Sequence, residues 1–277
     1  EGDRWELFFS RDGFLSQYRV DGRELLAEGA ALRPQFWRAP TENDLGAGLD
    51  ARFGVWKSPV LKLTQFDAVT EEGVAVITAR YELPQVKGVL TMTYRINGAG
   101  EVSVAEQLEA GDAEAPGMFR FGMTMAMPAR YSEIVYYGRG AHENYCDRLS
   151  SADLGLYSQK VADQYHDEYV RPQESGTKSD LRWWSVVDSS GSGLTILSEA
   201  PFSASALPYA TEALDVTNFP PQQHSGPLRS GDRTYVNFDL RQMGLGCINS
   251  WGELPEDQYM IPYGDYTFRF LLRPTVK

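Results

Sequence analysis

Short stretches in which apolar residues alternate with small or polar residues recur along the whole chain. A period of two is typical of half-buried β-strands, because successive side chains of a strand point to opposite faces of the sheet. The longest stretches are residues 89–97, 119–127, 234–240 and 266–272. Within 119–127 every odd position is Phe or Met. This predicts one buried core face and one lighter face, of small or polar side chains with less burial. Turn residues at Asp21-Gly22 and Asn97-Gly98 predict two β-hairpins.

Helical periodicity is almost absent, and only residues 207–214 and the region after Asp44 are predicted to form a short helical turn. Without longer helices between the strands, a parallel α/β sheet and a (β/α)8 barrel are excluded. An all-β fold, a large antiparallel sandwich, is the class that remains. No fixed-period repeat and no Ser/Gly/Pro-rich linker interrupts the sequence, so residues 1–277 are predicted to form a single domain.

The composition excludes several classes of partner. A formal net charge of −12 argues against nucleic acid and against an anionic membrane surface, since both require a basic face. No apolar run reaches the roughly 18 residues of a membrane-spanning helix. Cys146 and Cys247 are too few and too far apart for a disulfide framework or a metal knuckle, and buried free thiols are expected. The cellular compartment stays open. The start at Glu1, without an initiator methionine or signal peptide, is expected of a piece of a longer protein.

Residues 36–48, FWRAPTENDLGAG, combine features that strands and solvated loops each avoid. A strand interior would reject Pro40 and the polar run that follows it, whereas a solvated loop has little use for adjacent Phe36 and Trp37. We therefore expect Phe36 and Trp37 to anchor this segment to the sandwich. Three other segments share this unusual chemistry: residues 138–155, 169–184 and 242–255.

These segments carry a resemblance to a known family. FWRAPTENDLG, GRGAHENYCDR, YVRPQESG followed by DLRWW, and MGLGCINSW resemble, in that order, the C-terminal domain of the long bacterial β-galactosidases of glycoside hydrolase family 2. The similarity extends from Gly13 to Pro274, which is almost the whole chain. Four unusual motifs in the same order form a far more specific signal than one short pattern.

The resemblance implies a fold and a function. Family members are multi-domain retaining glycosidases that release terminal β-galactose from substrates such as lactose, and the full-length enzymes are often homo-oligomers. Their catalytic carboxylates and their Mg²⁺ ligands lie on a (β/α)8 barrel that precedes this domain. A monovalent cation is also bound outside this domain. The C-terminal domain is a large antiparallel supersandwich, similar to galactose mutarotase, that closes one side of the active-site pocket. This chain is therefore expected to contain no catalytic residue and no cofactor, and to be inactive alone.

Trp251 is the residue that we expect to contact substrate. In the family, the matching tryptophan of the MGLGCINSW-like segment stacks on the sugar in the barrel's pocket. An indole plane suits the apolar C–H face of a pyranose and loses little conformational entropy on binding. By contrast, the tryptophans at positions 5, 56, 183 and 184 and the methionines at 123, 125 and 127 are predicted to be core or interface residues.

Acidic residues are too abundant to identify a catalytic pair. Close pairs include Glu42 with Asp44, Glu143 with Asp147, Asp163 with Asp167 and Glu168, and Glu256 with Asp257. Each pair is interpreted as a solvated face, a cap or a salt bridge. His166 could bind a divalent metal together with Asp163, Asp167 and Glu168, but a loop surface is the favoured interpretation. His142 and His224 are isolated in the sequence, and no cofactor motif is present.

A second functional class stays open. The mutarotase-like fold is also compatible with a stand-alone galactoside-binding module or an aldose epimerase. Epimerase chemistry needs a positioned base and acid, and no such constellation can be assigned to His142, His166 or His224 from the sequence. The first hypothesis therefore remains a domain that completes the active-site pocket and buttresses the barrel of the same polypeptide.

Overall fold

The computed structural model describes residues 2, 4–111, 114–215, 228–246, 248–249 and 252–276. The strands in these ranges are β1 (Trp5–Phe9), β2 (Leu15–Val20), β3 (Arg23–Glu24), β4 (Arg33–Gln35), β5 (Lys62–Glu71), β6 (Val74–Leu83), β7 (Gly88–Ile96), β8 (Val102–Glu109), β9 (Arg120–Pro128), β10 (Glu133–Gly140), β11 (Asp153–Lys160), β12 (Lys178–Val187), β13 (Gly193–Leu207), β14 (Arg233–Gln242) and β15 (Tyr266–Thr275). The pairings between these strands are antiparallel. The predicted all-β antiparallel fold is therefore confirmed.

Helices are short. They are α1 (Glu42–Gly46), α2 (Leu49–Arg52) and α3 (Thr211–Leu214), with 3₁₀ turns at Gly54–Trp56, Leu149–Ser151, Val161–Asp163 and Asp257–Tyr259. The helix α2 lies in the region after Asp44 and α3 lies within residues 207–214, where the sequence predicts helical turns, whereas α1 begins two residues before Asp44. Over the described ranges, no helix is both long and apolar enough to cross a membrane.

The long strand β13 connects two layers of the fold. Its first part, Gly193 to Ser198, pairs with β15, and its last part, Ser203 to Leu207, pairs with β14. The larger layer has the strand order β11-β10-β12-β13-β15-β8-β7-β6-β5. The smaller layer continues from β13 through β14 and β9 to β4. One strand thus serves both layers.

Aromatic side chains fill the space between the two layers. Phe238 of β14 contacts Phe268 and Phe270 of β15, with ring centroids 6.2 and 4.9 Å apart, although β14 and β15 are not hydrogen-bonded neighbours. Phe121 of β9 contacts Tyr266 of β15 at 5.2 Å. Burial of these rings is the main favourable term that holds the layers face to face.

The separate three-stranded sheet β1-β2-β3 covers one end of the larger layer. Phe9 of β1 meets the edge of Tyr94 at 5.0 Å, and Phe14 stacks on Tyr81 at 5.0 Å. The buried Tyr18 donates a hydrogen bond to the Gly100 carbonyl. Both predicted hairpins are present, since Asp21-Gly22 joins β2 to β3 and Asn97-Gly98 lies between β7 and β8.

The prediction that β9 has a lighter, less buried face is wrong. The odd-numbered aromatic and methionine side chains are buried as predicted, but Arg120, Gly122 and Ala126 on the even positions are buried as well. The reason is that β9 pairs with β14 on one side and β4 on the other, which places it inside the smaller layer. Gly122 is required there, because a Cβ would lie 2.4 Å from the Phe238 carbonyl oxygen.

The other core predictions hold at most positions. Trp56, Trp184 and the three methionines of β9 are buried, whereas Trp5 and Trp183 are partly buried. Cys146 is a free, partly buried thiol that donates to the Gln242 carbonyl at 3.2 Å. Burial raises the pKa of Cys146 to about 11. Cys247 lies outside the described residues.

Candidate functional site

The four unusual segments meet at one place, and Arg38 holds two of them together. We call the described residues of segments 36–48, 138–155, 169–184 and 242–255 the loop cluster. The fully buried Arg38 donates to both carboxylate oxygens of Asp44, at 3.0 and 2.8 Å. It also donates to the carbonyls of Met243 and Gly244, at 2.6 and 3.0 Å. A planar guanidinium with several donors can satisfy all these acceptors at once.

The sequence of the first segment explains its shape. Thr41 caps α1, because its hydroxyl accepts from the Asp44 amide at 3.2 Å while the Asp44 carboxylate accepts from the Thr41 amide at 2.9 Å. This is a capping box with aspartate at the third position. Phe36 packs on Trp56 and Phe121, and Trp37 meets Phe119 at 4.9 Å, so the predicted anchoring role of both aromatics is confirmed.

The third segment lies along the first. The Glu174 amide donates to the Ala39 carbonyl at 3.0 Å, and the Glu42 amide donates to the Gln173 side chain at 3.1 Å. Arg171 donates to the Glu42 carboxylate. The polar residues that follow Pro40 are therefore paired within the chain.

The second segment joins the third through two adjacent residues. Asn144 is fully buried; its amide N–H donates to the Thr177 carbonyl at 2.8 Å, and its side-chain oxygen accepts from the Ser179 amide at 3.0 Å. Glu143 accepts from Arg148 at 2.5 Å, from the Gly176 amide at 2.7 Å and from the Tyr169 hydroxyl. Since these contacts cross between loops, they fix the loops relative to each other.

The fourth segment is held by Asp147, whose carboxylate accepts from the Gly246 amide at 2.8 Å. Gly244 has no room for a side chain, because a Cβ would lie 2.6 Å from an Asp147 carboxylate oxygen. Trp251, the predicted substrate contact, lies outside the described residues. Its neighbour Gly252 is described: it has φ +82°, and a Cβ there would lie 2.4 Å from the Gly46 carbonyl carbon. The backbone next to Trp251 is thus pressed against the end of α1.

The acidic pairs singled out in the sequence behave mainly as caps and ion pairs. Asp44 caps α1 and pairs with Arg38, Glu42 pairs with Arg171, and Glu143 pairs with Arg148. Within the described ranges, no group of three or more His, Cys, Asp or Glu side chains is arranged to hold a metal ion. The site that His166 could have formed with Asp163 and Asp167 is therefore not present as a metal cluster.

A cavity opens beside the loop cluster, and it was not predicted from the sequence. Its volume is about 590 Å³, and we call it the histidine cavity because His142 and His166 both line it. Glu143, Asp163 and the buried Lys178 also line it. Two histidines that lie far apart in the sequence therefore share one cavity. The adjacency of His142 and Glu143 within a motif is the sequence signal that could have indicated it.

Lys178 is the most unusual group in the wall of the histidine cavity. Its ammonium donates to the Gln164 side-chain oxygen at 2.8 Å and to the Gly176 carbonyl at 3.1 Å. Burial lowers the pKa of Lys178 to about 8, because a low-dielectric surrounding disfavours the charged form. The lysine is nevertheless mostly protonated at neutral pH.

The fold and loop cluster together define an all-β domain with one specialised, cross-braced group of loops. The chain belongs to the beta galactosidase small chain family, whose profile matches residues 1–272. It is 32% identical to a beta-galactosidase of Priestia megaterium over 97% of this chain and 25% of that protein. It is 31% identical to a beta-galactosidase of Streptococcus thermophilus over 99% of this chain and 26% of that protein. The chain spans about a quarter of the length of these curated relatives.

Solved structures bear on the fold alone, because their sequences are distant. A TPR-domain containing protein from Parabacteroides distasonis aligns with 99% of this chain and 46% of its own, with a TM-score of 0.51 and 9% identity. A galactose mutarotase related enzyme from Lactobacillus acidophilus aligns with 100% of this chain and 96% of its own, with a TM-score of 0.49 and 7% identity.

Proposed function

We propose that this chain is the C-terminal domain of a β-galactosidase that hydrolyses terminal non-reducing β-D-galactose from lactose-like substrates. The proposal is supported by family membership and by relatives that carry this name and are about four times as long as the matched part. The remaining three quarters of such a protein would contain the catalytic barrel. The retaining mechanism and Mg²⁺ would belong to that barrel, and a monovalent cation would also be bound outside this domain. The full-length enzyme would form a homo-oligomer.

Within that enzyme, the loop cluster would complete the active-site pocket and buttress the barrel. The observation that carries this role is the interlock of the four segments, with Arg38 joined to the backbone beyond Gln242 and Gly252 pressed against α1. A pocket wall must be held rigidly to orient a substrate, and these contacts supply that rigidity. Trp251 would then extend from a fixed backbone and stack on the sugar.

The chain would be inactive by itself. Retaining hydrolysis needs two carboxyl groups about 5 Å apart, one a nucleophile and one an acid with raised pKa. In the loop cluster Asp44 is neutralised by Arg38, and Glu143 already accepts three hydrogen bonds. Carboxylates committed to such structural contacts are poor candidates for either catalytic role.

Trp251→Ala in the full-length polypeptide tests the proposed stacking. We expect a raised KM, with turnover unchanged or lowered, because a flat stacking surface is lost. The melting temperature should fall by no more than a few degrees. Trp56→Ala is the control, since Trp56 is buried in the core and its loss should cost about 3–5 kcal/mol of stability. A similarly large loss of stability in Trp251→Ala would show that the indole is part of the core and contradict the proposal.

The alternative function is a stand-alone galactoside-binding module or a mutarotase-like epimerase. The cavity that His142 and His166 both line favours it, since an epimerase needs a base and an acid that face one site. Calorimetric titration of the chain with galactose and lactose separates the two functions. A dissociation constant well below about 1 mM would favour the module, because only a preformed site supplies that free energy.

A further inference from the structure

We propose that the histidine cavity is a weak binding site for a neutral, pyranose-sized saccharide, formed by this chain alone. The cavity measures about 590 Å³ and is lined by the second and third segments of the loop cluster and by residues 159–166 of the chain between them. This volume falls within the roughly 300–1,000 Å³ range of small-molecule sites. The inference concerns ligand binding and does not depend on the proposed role of Trp251.

The cavity wall offers a donor from a rigid position. Lys178 is 2% exposed, and two of its three N–H groups have acceptors in the described part of the chain, Gln164 and Gly176. The third N–H is available to a hydroxyl of a ligand in the cavity. A buried ammonium with an unused donor benefits more from such a bond than an exposed lysine would, because water competes less for it.

An acceptor lies on the same cavity. Asp163 is exposed at the end of a 3₁₀ turn, and among the described residues no ion pair engages its carboxylate. Sugar hydroxyls both donate and accept hydrogen bonds, so a carboxylate and an ammonium on one cavity match them. Gln159, which also lines the cavity, adds an amide that can do either.

The charges around the cavity balance, and this selects against charged ligands. Arg148 and Lys178 supply two positive charges, whereas Glu143 and Asp163 supply two negative ones. Arg148 is already paired with Glu143 at 2.5 Å. An anion such as a sugar phosphate would meet no net positive potential, and a cation would meet no net negative one. A neutral polyol is the class that fits.

Aromatic rings provide the apolar surface that a pyranose also needs. His166 contacts Tyr169 edge to face, with ring centroids 4.5 Å apart, and Tyr165 packs in the same way on Tyr209 at 5.0 Å. These contacts restrict the rings before a ligand arrives. A prearranged aromatic wall binds the C–H face of a sugar with a small entropic cost.

The test follows the ring NMR signals of His142 and His166 during titration with galactose, with galactose 6-phosphate as the charged comparison. Loss of each signal in His142→Gln and His166→Gln assigns it. The signals can be followed in this chain or in the full-length polypeptide, so poor stability of one form does not prevent the measurement. We expect both signals to shift together and to saturate with one dissociation constant of roughly 1–10 mM.

Two variants sharpen the result. Asp163→Asn should weaken galactose binding by about fivefold or more, because an acceptor for the sugar hydroxyls is weakened. Asp167→Asn is the matched control: Asp167 is exposed nearby but does not line the cavity, so binding should be unchanged. Trp251→Ala should leave the histidine shifts unchanged. The inference is overturned if both signals stay unmoved at roughly 100 mM galactose, if galactose 6-phosphate binds more tightly, or if Trp251→Ala abolishes the shifts.

Discussion

Two buried arginines, Arg38 and Arg120, differ in how completely their N–H donors are hydrogen-bonded. Arg38 makes four hydrogen bonds, two to Asp44 and two to backbone carbonyls of the fourth segment. Arg120 donates to Glu174 at 2.8 Å, but its Nε and one terminal nitrogen have no hydrogen-bond partner among the described residues. Asp239 lies 3.7 Å from it, which is an ion pair without a good hydrogen bond.

The surroundings of Arg120 extend this contrast. Glu106 is fully buried opposite Met92 and Phe268, and neither of its carboxylate oxygens has a partner among the described residues. Burial, reinforced by the charge of Asp239, holds the pKa of Glu106 well above its usual range. Burial likewise raises the pKa of Asp239 to about 7. Burial therefore favours the protonated form of these two carboxyl groups, whereas the Arg38 site holds a fully bonded ion pair.

The two arginines show where in the fold buried polar groups are fully hydrogen-bonded. Saturated hydrogen bonding fixes a unique geometry, and it is found where four loops must be held together. Between the layers, aromatic packing already determines the arrangement. The buried carboxylates there carry a desolvation penalty and are not needed to fix the geometry. Substitutions at the two places should therefore have opposite consequences.

Asp44→Ala should produce the largest effect. It leaves the Arg38 guanidinium buried without a counter-charge and removes the capping box, so unfolding by urea should show a loss of about 3–5 kcal/mol. The matched control is Asp12→Ala, which breaks the exposed Arg33–Asp12 pair at 3.1 Å and should cost less than about 1 kcal/mol. Equal losses in the two variants would show that the Arg38 site is not specially stabilising.

Gly252→Ala should have an intermediate effect. A side chain at φ +82° is strained and would collide with the Gly46 backbone, so a stability loss of about 1–3 kcal/mol is expected. In the full-length polypeptide KM should also rise, because the backbone beside Trp251 is displaced. Gly98→Ala is the control, since a Cβ there meets nothing within 4 Å. An unchanged stability and KM in Gly252→Ala would argue against a clamped loop.

Asp239→Asn should have the smallest effect and the opposite sign above neutral pH. Because the folded-state pKa is raised from 3.8 to about 7, the native protein keeps a proton that the unfolded chain releases, and stability falls as pH rises through that interval. The Asp239→Asn variant lacks this loss of stability, because the asparagine side chain does not titrate. Urea unfolding at pH 4 and pH 8 should show that the variant gains at least ~1 kcal/mol relative to the parent as pH rises. Glu106 stays in place with its raised pKa, so a residual slope is expected; parallel pH profiles would contradict the raised pKa of Asp239.

Much of the sheet could be predicted from local pattern, because half-buried antiparallel strands leave a period of two. The hairpin of β7 and β8 is such a case, with alternating burial on both strands. The pattern failed at β9, where Arg120 and Gly122 are buried through pairing with strands distant in sequence. A polar residue that is buried by a distant carboxylate leaves no local signature.

Some features of the candidate site could be predicted from the sequence, and others were missed. The aromatic anchors Phe36 and Trp37 follow from composition, since a solvated loop has no use for them. The histidine cavity was not predicted, because His142 and His166 are distant in sequence and the contacts of Glu143 with Tyr169 and Gly176, which join their two segments, leave only the His142-Glu143 adjacency as a local signal. The substrate contact at Trp251 stays a prediction, as does the single-domain organisation over residues 1–277.

The central claim is that this chain contributes a pocket wall and no catalytic centre. Turnover of a chromogenic β-galactoside by the purified chain, compared with the full-length polypeptide under the same conditions, tests it most directly. We expect turnover by the full-length polypeptide and none by the chain alone. Turnover by the chain at a rate near that of the full-length protein would contradict it.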